Sequence, residues 1–391
     1  MLQFVELLDY SFPPISISRM TDKLACVAEY EDVFKARLNE IAWLYYVSGS
    51  DEEITLKQNR KAFKRLRLKP RLLQNVSSLD LSTSLLGHAV DIPICIAPTA
   101  FQAETHPDGE VATARAAEKM GTCMVLSLHS NKSMEEVNAG EPSGLKWLNI
   151  YLFRNRAVTL DLIRRAERSQ YMGLVATIDN PSLGNLTKVH KNEGANFLAK
   201  NVVETHGYGN LNKYFKDYDL GPMLEDGFYK DVDIRDQAAT WEYIDWLRSK
   251  TSLPIIVKGV LTAEDAMLAV NHGASAVIVS NHGGRALDSV PASIEALPEI
   301  AKAVGDKVEV YFDGGIRNGI DVFKALALGA RAVFVGRPIL YGLAHSGEEG
   351  VRNILNIVKT ELTRTMSFAG CQSLSDIKPS LVVHESHYAK L

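Results

Sequence analysis

A chain of 391 residues is long enough for a barrel of about 250 residues with added segments. Hydrophobic residues make up 46% of it and charged residues 23%, which supports a large core and excludes general disorder. The formal net charge of −4 argues against a nucleic-acid partner, since such surfaces are normally basic. No apolar run approaches the roughly 18 residues that a spanning helix needs, so we expect no membrane partner either.

Residues 1–90 are predicted to form a helical cap. Apolar residues recur near helical spacing over Tyr30–Gly49, and the small residues at Ser48-Gly49-Ser50 predict that this helix ends there. A second helix is predicted over Glu52–Arg65. The first residues lack the basic start and apolar stretch of a secretory signal.

Between residues 91 and 338, short apolar, β-branched runs alternate with amphipathic stretches. Each run is nearly continuously apolar, as expected of strands buried on both faces. The eight predicted strands are Ile94–Ala100, Cys123–Ser127, Trp147–Leu152, Leu174–Asp179, Pro254–Gly259, Ala276–Asn281, Val308–Gly315 and Ala332–Arg337. The helical patterns between them cover Gly109–Met120, Ala157–Glu167, Ala263–His272, Ser293–Val304 and Ile320–Leu328. Eight such repeats predict an α/β fold of the closed parallel (β/α)8 TIM-barrel type rather than an open doubly wound sheet.

One connection is much longer than the others. Residues 181–240 follow the fourth strand, are polar, and are predicted to form a lid-like loop over the C-terminal mouth of the barrel. Residues 339–391 are predicted to be one or two closing helices and a tail. We therefore expect residues 1–391 to form a single domain.

Polar residues and glycines stand at the C-terminal ends of all eight predicted strands. These ends converge in a barrel, so their residues are candidates for one active site. Ordinary strand-end turns would explain a few of them but not all eight. The candidates at these ends, with two small neighbours of Thr99 included, are Pro98, Thr99, Ala100, Ser127, Asn149, Tyr151, Thr177, Asp179, Lys258, Ser280, His282, Arg285, Asp313, Gly315, Arg317, Gly336 and Arg337.

The ends of the seventh and eighth strands have the composition of a phosphate site. Gly315 and Gly336 let backbone amides approach an anion, and Arg317 and Arg337 supply positive charge. Barrel phosphate sites are commonly built at this place. The alternative is a tight turn with two surface arginines.

Lys258, His282 and Arg285 carry the most distinctive chemistry. A lysine that closes an apolar strand needs an anion or an electron-rich group beside it. A flavin ring suits Lys258, and so does the Schiff base of an aldolase. His282 can accept a proton near neutral pH, Arg285 can hold a carboxylate, and Asp179 can stabilise the imidazolium.

The segment SNHGGRALD at Ser280–Asp288 resembles the signature of the FMN-dependent 2-hydroxy-acid oxidases and dehydrogenases. The resemblance covers almost the whole chain and is closest to the peroxisomal glycolate oxidase type. Further matching segments are YYVSG at Tyr45–Gly49, APTAFQAETHPDGEVATARAA at Ala97–Ala117, TSLPIIVKGV at Thr251–Val260 and DGGIRNGIDVFKALALGARAVFVGRP at Asp313–Pro338.

The resemblance implies roles for individual residues. His282 matches the base that removes a substrate proton, and Asp179 matches its partner. Tyr45 and Arg285 match binders of the substrate carboxylate, and Tyr151 matches a catalytic tyrosine near the substrate hydroxyl. The residues implied to bind FMN are Pro98, Thr99, Ala100, Ser127, Asn149, Thr177, Lys258, Ser280, Asp313, Gly315, Arg317, Gly336 and Arg337.

The resemblance also implies the reaction and the assembly. A small (S)-2-hydroxy acid would be oxidised to the 2-oxo acid, with O2 as acceptor and hydrogen peroxide as product, by a homotetramer. Whether the hydrogen leaves as hydride or after carbanion formation stays open. The C-terminal Ala389-Lys390-Leu391 is a conservative variant of the Ser-Lys-Leu address and predicts a peroxisomal location, with the cytoplasm as the alternative. The four cysteines form no CxxC pair and are predicted to be buried thiols without a disulfide or metal role.

Three positions depart from the family pattern, and they cluster at the substrate side. Leu186 stands where a Leu-Gly-x-Arg run has a second carboxylate-binding arginine, although Lys188, His190 or Lys191 can replace that charge if the loop is re-routed. Asn149 replaces a flavin-binding glutamine, and His129 replaces a tryptophan. An FMN-binding protein with weak or no turnover is therefore an alternative function. A dehydrogenase that reduces a quinone or cytochrome is less favoured, because no membrane segment or haem domain is predicted.

Overall fold

The chain forms a closed parallel barrel in a computed structural model that describes residues 24–182, 184–191, 206–217 and 235–389. Each barrel strand pairs with the next in sequence, and the eighth pairs with the first. The strands are β1 (Ile94–Ile96), β2 (Met124–Leu126), β3 (Lys146–Tyr151), β4 (Leu174–Thr177), β5 (Ile255–Val260), β6 (Ala276–Val279), β7 (Glu309–Asp313) and β8 (Ala332–Val335). The predicted (β/α)8 barrel is confirmed.

The strand sequences explain the barrel. Every residue of β2, β4, β6 and β8 is buried, since helices cover the outside and side chains fill the inside. Inside, the rings of Trp147, Tyr311 and Phe334 pack against one another with centroids 5.6–5.8 Å apart. Phe334 also lines the cavity above. This aromatic layer fills the barrel interior below the cavity, as expected of the packed core of such a barrel.

Helices surround the strands. Those within the described residues are Val27–Arg37, Glu40–Val47, Ile54–Arg65, Gly109–Lys119, Met134–Gly140, Arg156–Arg168, Thr187–Lys191, Asn212–Asp217, Glu242–Arg248, Ala263–Asn271, Ser293–Val304, Gly319–Ala327 and Arg337–Ala369. Two antiparallel pairs, Thr83–Leu85 with His88–Val90 and Leu66–Leu68 with Val382–His384, lie outside the barrel. None of these helices is long and apolar enough to cross a membrane.

One helix prediction and one strand prediction need correction. Residues Tyr30–Gly49 do not form one helix, because Leu38 is extended and the side chain of Asn39 accepts a hydrogen bond from the amide of Ala42 and so starts a second helix. The eighth strand does not reach Arg337. That residue begins the closing helix Arg337–Ala369, which is interrupted at Ser346 and Gly347 by non-helical backbone angles.

The predicted lid-like loop 181–240 lies partly outside the described residues. Its described parts are held at the start by the N-terminal helical segment and at the end by the barrel. The amide of Asp51 donates to the carbonyl of Asn185 (2.9 Å) near the start, and Phe153 and Arg235 form an antiparallel bridge near the end. The two ends of this connection therefore have defined positions at the mouth.

Candidate active site

One cavity opens at the C-terminal ends of the strands, and nearly all predicted site residues line it. The empty space between the residues that line it measures about 1410 Å³, a volume that includes open solvent at the mouth. The predicted residues that line it are Tyr45, Pro98, Thr99, Ala100, Ser127, Asn149, Tyr151, Thr177, Lys258, His282, Arg285, Asp313, Gly315, Arg317, Gly336 and Arg337. Asp179 and Ser280 lie behind this surface and contact residues that line it.

His282 and Asp179 form a hydrogen-bonded pair at this mouth. Nδ1 of His282 lies 2.9 Å from Oδ1 of Asp179. His282 has a φ of 57°, a left-handed conformation that is uncommon for a side chain larger than glycine and is typical of functional sites. Burial lowers the pKa of the His282 imidazole, Asp179 opposes this, and Lys258 adds to it, so that the pKa ends below its usual value. The imidazole is therefore neutral near pH 7 and can accept a proton.

Lys258 lies inside the barrel with only 4% of its surface exposed. Its Nζ is 3.0 Å from Oγ of Ser280, 3.5 Å from Oδ2 of Asp313 and 4.0 Å from Oδ2 of Asp179. Burial lowers the pKa of Lys258, but Asp313 and Asp179 outweigh it and hold this pKa above its usual value. A Schiff base requires an unprotonated amine, so the geometry disfavours the aldolase interpretation and leaves a fixed positive charge in the cavity.

The ends of β7 and β8 concentrate positive charge. Arg337 is the first residue of its helix, where backbone amides and the helix dipole favour an anion. Burial, and then the neighbouring Arg285, lower the pKa of Arg337 to about 9, with Arg317 adding to the effect. Nε of Arg317 is buried without a hydrogen-bond partner among the described residues. A dianionic phosphate would neutralise this excess of charge.

Glycine is required beside these arginines. Gly315 has a φ of +86°, and a Cβ there would lie 2.1 Å from the backbone oxygen of Asn59. Asn59 is held in turn by reciprocal side-chain hydrogen bonds of 2.8 Å with Asn281. The helix Ile54–Arg65 therefore packs directly on the end of β7. This close packing shapes the cavity wall beside Arg317 and Arg337.

Small polar side chains line the opposite wall. Nδ2 of Asn149 donates to Oγ1 of Thr177 (2.6 Å), and its Oδ1 accepts from the amide of Leu128 (3.3 Å). Oγ1 of Thr99 accepts from the side chain of Gln102 (2.8 Å). Three features of the cavity match three parts of FMN. The donors and acceptors on this wall match the ring, and the buried ammonium of Lys258 matches the N1–C2=O edge. Arg317 and Arg337, called the phosphate cradle below, match the phosphate. The residues present therefore fit this cofactor.

The residues predicted to bind the substrate also line this cavity. The Arg285 guanidinium lies 4.9 Å from the ring centre of Tyr45 and donates to the carbonyl oxygens of Tyr45 (2.5 Å) and Ser48 (3.0 Å). The rings of His129 and Tyr151 lie 5.2 Å apart on the same wall. The side chain of Leu186 is buried and lines the cavity, so the predicted loss of an arginine leaves an apolar surface there.

Comparisons with known proteins agree with this geometry. The family model of FMN-dependent dehydrogenases matches residues 34–384. The chain belongs to this family. It is 45% identical to human 2-hydroxyacid oxidase 1 over 93% of this chain and 97% of that protein, and 46% identical to glycolate oxidase 3 of Arabidopsis thaliana over 90% and 94%. A crystal structure of mandelate oxidase superposes with a TM-score of 0.81 at 35% identity, covering 91% of this chain and 97% of the other.

Membership of the FMN-dependent dehydrogenases confirms the predicted family and the predicted cofactor. FMN carries a phosphate group, and Arg317 and Arg337 are the candidates to hold it. Within the described residues no group of three or more His, Cys, Asp or Glu side chains could hold a metal ion. Cys95, Cys123 and Cys371 are buried free thiols as predicted, whereas the free thiol Cys26 is only partly buried.

Sequence reasoning missed some residues that line the cavity. Asn180, Tyr208 and Arg235 come from the β4–β5 connection, and Leu340 comes from the closing helix. A polar connection offers no periodicity that separates inward from outward side chains. Arg235 gave no signal in the sequence, because it stands neither at a strand end nor in a family motif.

Proposed function

We propose that this enzyme oxidises a small (S)-2-hydroxy acid to the 2-oxo acid, with FMN as cofactor and O2 as the final acceptor. The hydrogen-bonded pair of His282 and Asp179 at the mouth of a cation-rich cavity carries the proposal. The names of the relatives, 2-hydroxyacid oxidase and glycolate oxidase, support the substrate class. When bound, FMN would supply the two-electron oxidation, and O2 would then accept two electrons and two protons to give hydrogen peroxide.

His282 acts as the base. With Nδ1 engaged by Asp179, the other ring nitrogen, Nε2, is left to take the substrate proton. Asp179 stabilises the imidazolium that forms. Its carboxylate is ready to do so, since burial raises the pKa of Asp179 but His282 and Lys258 lower it below the usual value.

Tyr45, Tyr151 and Arg285 hold the acid. Arg285 is a planar donor suited to a carboxylate, and its contacts with backbone oxygens keep it at the mouth. Tyr45 lies against its guanidinium and presents a phenol to the same space. Tyr151, at the end of β3, is placed for the hydroxyl group of the substrate.

Lys258 and the arginines of the phosphate cradle hold the cofactor. Lys258 keeps its charge because Asp313 and Asp179 flank it, so it can face the N1–C2=O edge of the ring. Arg317 and Arg337 hold the phosphate. The wall of Thr99, Asn149 and Thr177 provides the remaining polar contacts to the ring.

An anaerobic titration tests this function. The holoprotein is mixed without oxygen with a panel of 2-hydroxy acids of increasing size, and each enantiomer is tried separately. A substrate bleaches the flavin absorbance at about 450 nm, and readmitted oxygen restores the colour with release of hydrogen peroxide. A protein that binds FMN but is bleached by no member of the panel would instead be the binding protein with weak or no turnover.

The compartment and the assembly remain predictions. Hydrogen peroxide as product suits a peroxisomal location, but Lys390 and Leu391 of the predicted address lie outside the described residues. Microscopy of a fusion at the N-terminus, with and without the last three residues, checks the location. Light scattering of the holoprotein checks the homotetramer.

A further inference from the structure

A buried arginine that neither the sequence pattern nor the proposed mechanism uses lies in the wall of the substrate pocket. Arg235 is 2% exposed and lines the same cavity as His282 and Tyr151. Its guanidinium carbon lies 4.2 Å from the ring centre of Tyr151, and its NH1 donates to the backbone oxygen of Asn180 (2.8 Å). The planar guanidinium presents its N–H donors in a geometry that matches the two oxygens of a carboxylate.

The backbone around Arg235 is firmly held. The amide of Asp236 donates to the carbonyl of Leu152 (2.7 Å), and the carboxylate of Asp236 pairs with Arg156 at 3.3 Å. Arg156 in turn lies 3.3 Å above the ring of Tyr243. These contacts fix the end of the β4–β5 connection against β3, so Arg235 is presented to the cavity from a rigid position.

The beginning of the same connection lacks the positive charge that the family pattern places there. Leu186 is buried and lines the cavity, so it offers an apolar contact where an arginine is expected. Lys188 does not replace that arginine, because its Nζ pairs with Glu53 (2.5 Å) and its side chain is 56% exposed. Lys191 is exposed and does not line the cavity. The side chain of His190 lies outside the described residues.

The other described cations of the cavity have different neighbours. Lys258 is flanked by two carboxylates, and Arg317 and Arg337 lie at the ends of β7 and β8, on the phosphate side. Arg285 approaches from β6, beside Tyr45. Arg235 approaches from the side of Tyr151, so a small acid that touches both tyrosines would lie between two guanidinium groups.

We infer that Arg235 is a specificity-determining residue that binds the carboxylate of the substrate and takes the place of the arginine that Leu186 replaces. The inference rests on the proposed oxidation of a 2-hydroxy acid. A charge lost at the start of the β4–β5 connection is thus restored at its end, and the acid is again held by two arginines.

A pair of ligands that differ only in charge tests this role. Pyruvate and pyruvamide have nearly the same shape, and neither can be oxidised as a 2-hydroxy acid. Their dissociation constants are measured on the FMN-loaded protein by calorimetry. In Arg235→Leu we expect pyruvate to bind about 10- to 100-fold more weakly, whereas the dissociation constant of pyruvamide should change less than about twofold.

Three further variants separate the charge of Arg235 from its packing. Arg235→Lys keeps a cation and is expected to retain most of the preference for pyruvate. The double variant Leu186→Arg with Arg235→Leu returns a guanidinium to the other end of the connection and is expected to regain tenfold or more of the lost affinity. Arg154→Leu removes an exposed arginine from the same region and should leave both constants unchanged.

Two results would overturn the inference. One is an Arg235→Leu protein that binds pyruvate as tightly as the wild type, and the other is an equal loss for both ligands, which indicates a packing defect. Bleaching of the wild type by hydroxy acids is measured in parallel. A wild type that is never bleached, but whose preference for pyruvate depends on Arg235, would refute the oxidation and keep the carboxylate site.

Discussion

Nδ1 of His282 lies 2.9 Å from Oδ1 of Asp179, although the two residues are 103 positions apart in the sequence. The barrel brings them together because β4 and β6 both end at the mouth, and β5 between them carries Lys258. The cation beside Asp179 keeps this carboxylate charged, and the charged carboxylate fixes the imidazole. His282, Asp179 and Lys258 are thus coupled electrostatically, with the carboxylate between the imidazole and the ammonium.

We expect Asp179→Asn to lower kcat/KM by about 10²- to 10⁴-fold, because the imidazolium loses its charge partner. His282 must be neutral to accept a proton, so activity falls as the pH drops through its pKa. In the wild type, this acidic limb of the pH profile lies below the usual imidazole pKa of about 6.5, since burial lowers the pKa of His282. Without Asp179, which opposes this shift, the limb moves to still lower pH. The pH profile of kcat/KM measures both effects.

Asp245→Asn is the matched control for this variant. Asp245 also pairs with a histidine, His272, at 2.7 Å, but the pair lies at the surface and outside the cavity. Its replacement should leave rate and profile unchanged. An Asp179→Asn enzyme whose acidic limb moved to higher pH, or whose rate fell less than tenfold, would contradict the proposed role of the pair.

Lys258→Met is expected to lower both the stability of the protein and the reduction potential of the flavin. It leaves Asp179 and Asp313 buried without their cation, which costs about 3–5 kcal/mol in the free energy of unfolding. It also removes positive charge from the ring edge, so the flavin should become harder to reduce. A fall of about 30–60 mV in the two-electron potential corresponds to about 1.4–2.8 kcal/mol. Denaturant unfolding and a potentiometric titration measure the two effects.

A second buried lysine provides the control. Lys146 is also buried, but its Nζ donates to the backbone oxygens of Glu141 (2.7 Å) and Gly144 (2.9 Å), away from the cavity. Lys146→Met should lower stability and leave the flavin potential unchanged. Equal shifts of the potential in both variants would refute the assignment of Lys258 to the ring edge.

The barrel could be predicted because its strands depend on a local signal. Short β-branched runs such as Leu174–Thr177 are buried on both faces, and this produces a continuous apolar pattern that needs no knowledge of the partner strands. The break near Leu38 could not be found in the same way. Its cause is a single capping hydrogen bond from Ala42 to Asn39, and the helical periodicity continues on both sides of it.

The candidate site likewise contains residues that a local rule finds and a residue that depends on the folded chain. His282, Lys258 and Arg337 stand at strand ends or beside them, so the barrel rule finds them from their position alone. Arg235 stands in a polar connection. Its burial depends on an antiparallel backbone bridge to Phe153, which no sequence pattern predicts. The loss of an arginine at Leu186 was visible in the sequence, whereas its proposed replacement became visible only when the connection was folded.

Arg337→Leu is expected to weaken the binding of FMN by about tenfold to 100-fold, because a charge-assisted contact to the phosphate is lost. Riboflavin has the same ring without the phosphate, so its affinity should change little. Quenching of flavin fluorescence by the apoprotein measures both constants. Arg331→Leu, at the other end of β8 where the side chain donates to Ser84, serves as control. A parallel loss for both flavins would show that Arg337 supports the fold and not the phosphate.

Gly315→Ala is expected to reduce both stability and FMN affinity, and Gly87→Ala is its matched control. Both glycines have a φ of +86°, but a Cβ at Gly315 would lie 2.1 Å from the backbone oxygen of Asn59. A Cβ at Gly87 would have no atom of the described residues within 4 Å, apart from its own chain neighbours. The strained backbone alone should cost about 1–2 kcal/mol at either position. The additional clash at Gly315 should raise its total cost above about 3 kcal/mol, because β7 and the helix Ile54–Arg65 must separate. Urea unfolding and FMN titration of both variants measure the difference, and equal losses would mean that close packing at Gly315 does not shape the phosphate wall.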